Sequence, residues 1–302
     1  MNIVVLKGGP STEREISLKS GAAVAEALRQ AGHQVAEMDC TSRELPPFPV
    51  EADVVFPVLH GEWGEDGEVQ TLIEARHLPY VGCGVECSRL TINKHATCRQ
   101  LSAKGIATAR SWLLTSRQQP MPPDITYPLI VKPNAQGSTV GLTLVKEASQ
   151  LTAALDKAFA VDTAVMLEDF IKGTEVTVGL LNGSALPVVE IIPPGELFDF
   201  DAKYTYAQGQ TQYNCPPTRV PAAVQARMKE IAEQTYAVLG ARDLLRVDMI
   251  WRAEDDRIVV LEANTLPGFT SSSLLPKAAK QAGINFQQLC CSLVEAARNR
   301  GL

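Results

Sequence analysis

The first part of the chain repeats one pattern: an apolar run, a turn, and then apolar residues at helical spacing. The first apolar run covers residues 3–6, the turn is Gly8-Gly9-Pro10, and apolar side chains recur at helical spacing from Ile16 to Leu28. The alternation continues with strands predicted at residues 34–39, 53–59 and 79–81 and a helix at residues 68–75. Strands that alternate with helices pair in parallel, so the pattern predicts a doubly wound α/β sheet that ends near residue 92.

From residue 93 onward the predicted strands follow one another closely, which is typical of antiparallel α+β structure. The predicted central elements are helices at residues 93–104 and 148–158 and strands at 108–113, 128–132, 141–144, 164–168 and 175–181. The predicted C-terminal elements are strands at residues 186–192, 244–251 and 257–262, a helix at 222–239 and two terminal helices. An irregular stretch at residues 193–221 interrupts them and is typical of a functional loop.

Composition supports this division and excludes several classes of protein. A chain of 302 residues with 45% apolar residues can bury the cores of several domains, which we place at residues 1–92, 93–182 and 183–302. The formal charge of −6 provides no positive field, so we expect neither a nucleic-acid nor a membrane partner. No segment has the length of a membrane span or the pattern of a secretion signal, and the seven cysteines are irregularly spaced. We therefore expect a cytoplasmic protein with reduced thiols and no structural zinc.

The first segment that indicates chemistry places Lys132 at the end of an apolar strand, before the small polar loop Gly137-Ser138-Thr139. A phosphate site needs a cation, free N–H groups and close approach of the backbone, and these residues supply all three. An ordinary hairpin loop that ends beside a surface lysine explains the segment equally well.

The second segment carries charged residues on two neighbouring predicted strands. Alternation places Arg246 and Asp248 on one face of the first strand, and Glu262 and Asn264 on one face of the second. Two carboxylates and an amide form a hard-oxygen site that suits Mg²⁺ carrying nucleotide phosphates. A salt-bridged pair of strands is the weaker interpretation, because these charges face inward from otherwise apolar strands.

The third segment is a turn around Gly268, followed by hydroxyl residues that lead to Ser273 and a predicted helix. Free amides at a helix N-terminus bind carboxylates, and Ser273 is well placed to assist. The same hydroxyl residues could simply cap the helix, and the two roles can coexist.

Two earlier segments complete a recognisable order of motifs. Residues 8–17 read Gly-Gly-Pro-Ser-Thr-Glu-Arg-Glu-Ile-Ser, and residues 59–67 read Leu-His-Gly-Glu-Trp-Gly-Glu-Asp-Gly. With the three segments above, in this order, the chain resembles the D-alanine–D-alanine ligases of the ATP-grasp superfamily over essentially its whole length. The resemblance implies a three-domain ATP-grasp fold. It also implies an ATP-dependent ligase that joins two D-alanine molecules through a D-alanyl phosphate, releases ADP and phosphate, and supplies peptidoglycan precursors.

The resemblance also implies a set of ATP-binding residues: Lys94, Lys132, Gly137, Ser138, Thr139, Glu168, Asp169, Phe170, Ile171, Glu175 and Lys203. In this set Glu168 accepts a hydrogen bond from the adenine amino group, Glu175 binds the ribose, and the loop at residues 137–139 closes over the phosphates. The implied metal ligands are Asp248, Glu262 and Asn264, which hold two Mg²⁺ or Mn²⁺ ions. The sequence leaves open whether a monovalent cation such as K⁺ assists.

The implied catalytic and amino-acid-binding residues are Glu13, His60, Ser138, Tyr204, Arg246, Gly268, Ser273 and Leu274. Glu13 faces the ammonium of the first D-alanine and forms a hydrogen-bonded chain with Ser138 and Tyr204, and His60 lies near the first carboxyl group. Arg246 and the Gly268 amide stabilise the tetrahedral oxyanion, while Ser273 and the Leu274 amide hold the second carboxylate. From the residues alone, Glu13 is a solvated acid and His60 a strand-end histidine, so their roles rest on the resemblance.

Residues 198–204 resemble the lid loop of the family, which we place at about residues 195–220. By the same resemblance, the Lys203-Tyr204 pair in this loop implies an amine as the second nucleophile, because relatives that make D-alanyl-D-lactate lack this pair. Phe200 and Phe269 stand where we expect a tyrosine and a methionine, and residues 205–215 form a longer segment than we expect. These departures concern the closed lid and the pocket for the second substrate, so a D-Ala–D-Ser type of ligase is the alternative.

Other classes of function fit the sequence less well. A nicotinamide-dependent oxidoreductase would need Gly-x-Gly-x-x-Gly after the first strand, which this chain does not have. A non-catalytic nucleotide-binding module would bury the charges around Asp248 without a metal, which is costly. Because members of the family commonly form dimers, we expect a homodimer.

Overall fold

The computed structural model of the protein describes residues 1–48, 51–137, 140–194 and 211–301. The N-terminal part holds strands β1 (Asn2–Gly8), β2 (Gln34–Cys40) and β3 (Val54–Pro57) and helices α1 (Arg14–Gln30), α2 (Glu68–Glu74) and α3 (Val85–Ile92). The three strands form a parallel sheet in the order β2-β1-β3. The parallel α/β prediction is therefore confirmed. The strand predicted at residues 79–81 is instead a single bridge between Val55 and Tyr80.

The central part is a four-stranded antiparallel sheet with one helix before it and one within it. Its elements are α4 (Lys94–Ala103), β4 (Ser111–Leu114), β5 (Leu129–Pro133), β6 (Thr143–Val145), α5 (Leu151–Phe159) and β7 (Val165–Asp169). The strand order is β4-β7-β5-β6. Neighbouring strands run antiparallel, as the α+β prediction requires, and β5 and β7 bring Lys132 and Glu168 to adjacent strands.

The C-terminal part is built on a second antiparallel sheet. Its strands are β8 (Thr174–Leu181), β9 (Ser184–Ala185), β10 (Val189–Ile192), β11 (Gln212–Asn214), β12 (Leu244–Arg252) and β13 (Arg257–Asn264). Its helices are α6 (Ala222–Val238), α7 (Leu274–Gln281) and α8 (Phe286–Arg300). The sheet order is β11-β10-β8-β12-β13, with β9 paired to β8. Strand β8, which the sequence placed in a central domain ending at residue 182, thus hydrogen-bonds within the C-terminal sheet.

The largest apolar core joins the two ends of the chain. Val24 and Leu28 of α1 are fully buried in the same cluster as Leu289 and Leu293 of α8. The inward residues of β1 and β3 and the buried residues of α7 belong to this cluster too. Helix α8 therefore covers the N-terminal sheet rather than forming a separate C-terminal layer. None of the helices in the described ranges is both long enough and apolar enough to cross a membrane.

Candidate active site

A cavity of about 360 Å³ is lined by residues from all three parts of the fold. The predicted site residues that line it are Glu13, His60, Lys94, Lys132, Gly137, Glu168, Asp169, Phe170, Ile171, Glu175, Arg246, Asp248, Glu262, Asn264, Gly268, Ser273 and Leu274. The other four predicted residues, Ser138, Thr139, Lys203 and Tyr204, lie outside the described residues. The structure thus brings together every predicted site residue that it describes.

A buried ion pair forms one wall of the cavity. Lys132 Nζ lies 2.8 Å from Glu168 Oε2, and the two side chains are only 9% and 4% exposed. Burial lowers the pKa of Lys132, but the carboxylates of Glu168 and Glu262 outweigh it and raise this pKa above its usual value. The other carboxylate oxygen, Glu168 Oε1, is buried and has no hydrogen-bond donor among the described residues. A buried acceptor without a donor fits a ligand that carries an amino group, such as adenine.

The strand end beside this pair is held by the backbone and by a surface arginine. Asp169 donates its N–H to the Arg110 carbonyl at 2.9 Å, and its carboxylate accepts from Arg110 Nε at 3.0 Å. Phe170 and Ile171 follow directly and line the cavity. Glu175 enters from β8, where it lies opposite Ile250 of β12. The Asp169 side chain therefore pairs with Arg110 at the surface, and the backbone of residues 169–171 lies along the cavity.

Strands β12 and β13 present the charged set on one face. Asp248 lies directly opposite Glu262, and Arg246 lies opposite Asn264. Asp248 receives two hydrogen bonds from Arg246, at 2.9 and 2.8 Å, a third from Thr177 at 2.6 Å and a fourth from Asn264 Nδ2 at 3.2 Å. Carboxylates placed directly opposite each other repel, so the pair is suited to a site where a cation is bound.

The donor chemistry of this set fits Mg²⁺ or Mn²⁺. It offers two carboxylates and, because the Asn264 nitrogen points to Asp248, an amide oxygen directed elsewhere. Across the part of the chain that the structure describes, no group of three or more His, Cys, Asp or Glu side chains could hold a metal ion. A set with only two carboxylates is typical of Mg²⁺ that shares its coordination with substrate phosphates, in contrast to an all-protein cage.

His60 links the N-terminal part to the loop that carries Gly268. The His60 Nδ1–H donates to the Leu266 carbonyl at 3.1 Å, and Nε2 accepts from the Ser20 hydroxyl at 3.3 Å, the tautomer being assigned from these partners. Ser20 also accepts from the Phe269 N–H at 3.4 Å. Burial lowers the pKa of His60, although nearby Glu13 opposes the shift, so the ring is neutral at neutral pH.

The start of α7 differs from a simple capped helix. Ser273 occupies the N-cap position, but its side chain makes no capping hydrogen bond to the helix. Its hydroxyl instead accepts from the Thr270 N–H at 3.1 Å and contacts the Thr270 hydroxyl at 2.9 Å. The capping alternative for the Ser273 side chain is therefore wrong, and Ser273 and Leu274 both face the cavity.

Phe269, one of the departures in the sequence, lies in the hydrophobic core. Its side chain is 1% exposed, and its ring centroid is 5.7 Å from that of Phe56 and 5.6 Å from that of Phe286. The aromatic ring at this position therefore packs against Phe56 and Phe286 and is not among the residues that line the cavity.

Two glycines make room for Glu13, which is the N-cap residue of α1. A Cβ atom on Gly61 would lie 2.7 Å from Glu13 Oε2, and one on Gly137 would lie 2.8 Å from the same atom. Ser11 donates its hydroxyl to the His60 carbonyl at 2.6 Å and accepts from the Glu13 N–H at 3.2 Å, which fixes the start of the helix. Next to Gly137, the Gln136 carbonyl accepts a hydrogen bond from Lys94 Nζ at 2.6 Å.

The sequence assigned no role to Glu65, which also lines the cavity. Its Oε2 accepts from the Gly61 N–H at 2.8 Å. Burial and the neighbouring carboxylate of Glu13 raise the pKa of Glu65 to about 8. The sequence feature that could have pointed to Glu65 as a site residue is its place in the motif at residues 59–67, five residues after His60.

Comparison with known proteins identifies the family. The family model described as D-ala D-ala ligase C-terminus matches residues 101–295, and the one described as D-ala D-ala ligase N-terminus matches residues 38–83. The chain belongs to the D-alanine–D-alanine ligase family. The resemblance seen in the sequence motifs and the ATP-grasp fold that it implies are both confirmed.

Individual relatives in this family match over nearly the full chain. The D-alanine–D-alanine ligase of Citrifermentans bemidjiense is 42% identical over 297 residues, which cover 98% of this chain and 95% of that protein. The D-alanine–D-alanine ligase of Syntrophotalea carbinolica is 39% identical over 301 residues, which cover 99% of this chain and 96% of that protein.

Solved structures give the same family. The crystal structure of D-alanine–D-alanine ligase from Bacillus anthracis superimposes with a TM-score of 0.86 at 30% identity and covers 99% of each chain. The VanG D-Ala:D-Ser ligase of Enterococcus faecalis superimposes with a TM-score of 0.85 at 30% identity and covers 98% of this chain and 99% of that one.

Proposed function

We propose that this chain joins two D-alanine molecules into D-alanyl-D-alanine at the expense of ATP, releasing ADP and phosphate. The observation that carries the proposal is that one cavity is lined by every described residue of the predicted nucleotide, metal and amino-acid sets, from all three parts of a chain of this family. The dipeptide is a building block of peptidoglycan precursors. Because the reaction consumes ATP, we place it in the cytoplasm.

The reaction needs two steps because a carboxylate is a poor acylating agent. In the first step, the terminal phosphoryl group of ATP passes to the carboxylate of the first D-alanine, which gives D-alanyl phosphate and ADP. In the second step, the amine of the second D-alanine attacks the acyl carbon, the amide bond forms and phosphate leaves. Both steps concentrate negative charge, so catalysis rests on positioning and electrostatic stabilisation.

The nucleotide lies against the Lys132–Glu168 wall in this proposal. Glu168 accepts a hydrogen bond from the adenine amino group, which gives its orphaned Oε1 a donor. The backbone at Asp169, Phe170 and Ile171 contacts the base, and Glu175 binds the ribose hydroxyls. The phosphates are bound by Lys94 and Lys132, by the loop at residues 137–139 and by Lys203 of the lid.

The charged face of β12 and β13 holds the metal in this proposal. Asp248, Glu262 and Asn264 are the ligands of two Mg²⁺ or Mn²⁺ ions, which neutralise the phosphate charge when they are bound. Arg246 is fixed by two hydrogen bonds to Asp248, so its guanidinium is already oriented. With the Gly268 N–H it stabilises the oxyanion of the tetrahedral intermediate without reorganising. Assays with and without K⁺ test whether a monovalent cation assists.

The amino-acid substrates occupy the end of the cavity near α1 and α7. Glu13 binds the first ammonium and continues to Ser138 and Tyr204, and His60 lies near the first carboxyl group. The Ser273 hydroxyl and the Leu274 N–H bind the second carboxylate, which the absence of a side-chain cap at Ser273 supports. The family resemblance also leads us to propose a homodimer, which light scattering would test.

The function is tested by phosphate release from ATP with purified protein and Mg²⁺. D-Alanine alone should release phosphate and yield the dipeptide by mass spectrometry, whereas L-alanine should not. Mixtures of D-alanine with D-serine or D-lactate test the second substrate, because a D-Ala:D-Ser ligase is among the structural relatives. If D-alanyl-D-serine is the main product, the D-Ala–D-Ser alternative replaces the proposal. If no pair of substrates releases phosphate, the proposal is refuted.

A further inference from the structure

The end of the cavity near α1 contains more ionisable groups than the proposed mechanism uses. Glu13 and Glu65 both face it, together with Lys94 and Arg246. The buried ring of His60 lies there too and is neutral because burial lowers its pKa. Glu65 is the group without a role, and its surroundings indicate one.

The turn after β3 holds Glu65 in a fixed position. Its Oε2 accepts from the Gly61 N–H at 2.8 Å, and the turn is closed by hydrogen bonds from Gly64 and Glu65 N–H to the Gly61 carbonyl, at 3.2 and 2.9 Å. Gly61 in turn packs against Glu13, since a Cβ there would lie 2.7 Å from Glu13 Oε2. One glycine therefore contacts both carboxyl groups.

The other two acids of the same turn are directed elsewhere. Glu62 pairs with Arg43, and its side chain is 57% exposed. Asp66 accepts hydrogen bonds from the Trp63 and Glu68 N–H groups, at 2.7 and 2.9 Å. Of the three acids, Glu65 is the one that lines the cavity. This selective orientation is what a substrate-binding role predicts and a solvated surface turn does not.

The charges around Glu65 favour a positively charged ligand. Lys94 and Arg246 act to lower the pKa of Glu65, but Lys94 Nζ also donates to the Gln136 carbonyl and Arg246 makes two hydrogen bonds to Asp248, and burial together with Glu13 outweighs them. Glu13 and Glu65 line the same cavity, where two nearby carboxylates repel each other. A neutral, protonated Glu65 relieves this repulsion, which agrees with its raised pKa of about 8.

We propose that Glu65 is a second carboxyl group of the amino-acid site, and that it releases its proton to solvent when the ammonium group of the first substrate binds beside Glu13 and Glu65. The inference rests on the proposed function, because that function supplies the ammonium ligand. The Glu65 carboxylic acid and the substrate ammonium become a carboxylate–ammonium pair, and one proton passes to the buffer. No other bond forms or breaks.

This coupling makes substrate binding depend on pH in a defined direction. Below the pKa of free Glu65 each binding event releases a proton, so the affinity for D-alanine rises with pH, by up to about tenfold per pH unit. Above that pKa Glu65 is already ionised, so the affinity no longer changes with pH through this group. The neutral ring of His60 does not contribute to this change at neutral or higher pH.

Calorimetry of D-alanine binding tests the inference. Titrations near pH 7 in two buffers with different ionisation enthalpies give the number of protons released. We expect about 0.9 proton per first D-alanine for the wild type, from a pKa of about 8. Glu65→Gln should release close to none, because it keeps an acceptor for the Gly61 N–H but cannot ionise. Glu62→Gln, from the same turn, is the matched control and should release as many as the wild type.

The pH dependence of the affinity for D-alanine gives a second readout, in the wild type and in Glu65→Gln. Between about pH 6 and 8 the dissociation constant of the wild type should fall at least about tenfold. Glu65→Gln should bind nearly as well as the wild type at the low end and at least about tenfold more weakly at the high end. A wild-type affinity that is flat over this range, or equal proton release by Glu65→Gln, would overturn the inference while leaving the ligase activity intact. A wild type that neither binds nor ligates D-alanine would instead refute the proposed function.

Discussion

The Lys132–Glu168 pair allows a quantitative test of the site without any ligand. Both side chains are almost fully buried, at 9% and 4% exposure, and their charged atoms lie 2.8 Å apart. Replacing Glu168 by alanine leaves the Lys132 ammonium in place without its closest partner. We therefore expect Glu168→Ala to unfold more easily even in the absence of ATP.

The magnitude follows from what the substitution leaves behind. Removing one member of a buried ion pair costs about 3–5 kcal/mol, because the other charge stays buried without compensation. Glu262 still attracts Lys132, and Glu168 Oε1 had no donor to lose. Both facts place the expected loss near the lower limit, at about 3 kcal/mol of unfolding free energy.

Urea denaturation of the ligand-free protein measures this loss. Asp156→Ala is the control, because it breaks an exposed pair with Arg117 and should cost less than about 1 kcal/mol. The double variant Lys132→Met with Glu168→Leu removes both charges and should recover most of the stability lost in Glu168→Ala. A loss below about 1 kcal/mol in Glu168→Ala, or a double variant that is no more stable, would refute the reasoning.

The pH dependence of the unfolding free energy tests the same ion pair independently. In the wild type the pKa of Lys132 is raised, so the stabilisation is complete below the pKa of an unfolded lysine and is lost only as the pH rises through the folded value. In Glu168→Ala the closest carboxylate is gone, so we expect burial to prevail and to lower the pKa of Lys132. The folded state of the variant then binds fewer protons than its unfolded state. The stability deficit of the variant should therefore shrink as the pH rises toward about 10.

Three further predictions concern the rest of the site. Glu262→Gln should lower kcat by about a hundredfold or more while the melting temperature is kept, whereas the exposed Glu254→Gln should leave the rate unchanged; equal rates would exclude Glu262 as a metal ligand. Ser20→Ala breaks the contacts to His60 and Phe269 and should raise the KM for D-alanine about 2- to 10-fold with no change in the KM for ATP, as steady-state kinetics can show. Asp243→Asn weakens the partner of Arg300 and should lower the melting temperature by several degrees in calorimetry; an unchanged value would mean that this buried pair is dispensable.

The local pattern of the chain predicts most elements of the fold. The elements that it misses depend on distant partners. Strand β11 has only three residues and no alternation of its own, and it exists because it pairs with β10. Helix α3 follows a glycine without a side-chain cap, so no start signal marks it. The sheet to which β8 belongs is equally invisible from sequence, because pairing between β8 and β12 joins residues about seventy positions apart.

The residues of the site likewise fall into two groups: those that the local sequence pattern predicts and those that depend on distant neighbours. Alternation along two strands placed Arg246, Asp248, Glu262 and Asn264 on shared faces, and the register brings the faces together. The sequence could not assign a role to Glu65, because that role depends on the proximity of Glu13 in the folded protein, and no sequence periodicity links the two residues. Phe269 likewise turns into the core because it packs against Phe56 and Phe286, and the sequence does not show that these rings lie close together.

The core shared by α1 and α8 has a consequence for synthesis on the ribosome. A growing chain emerges with its N-terminus first, so Val24 and Leu28 leave the exit tunnel long before Leu289 and Leu293 exist. Until residues 286–300 follow, the apolar face of the first sheet and its helix has no permanent cover. The nascent N-terminal segment therefore exposes apolar surface during synthesis, and we expect it to bind chaperones that recognise such surface.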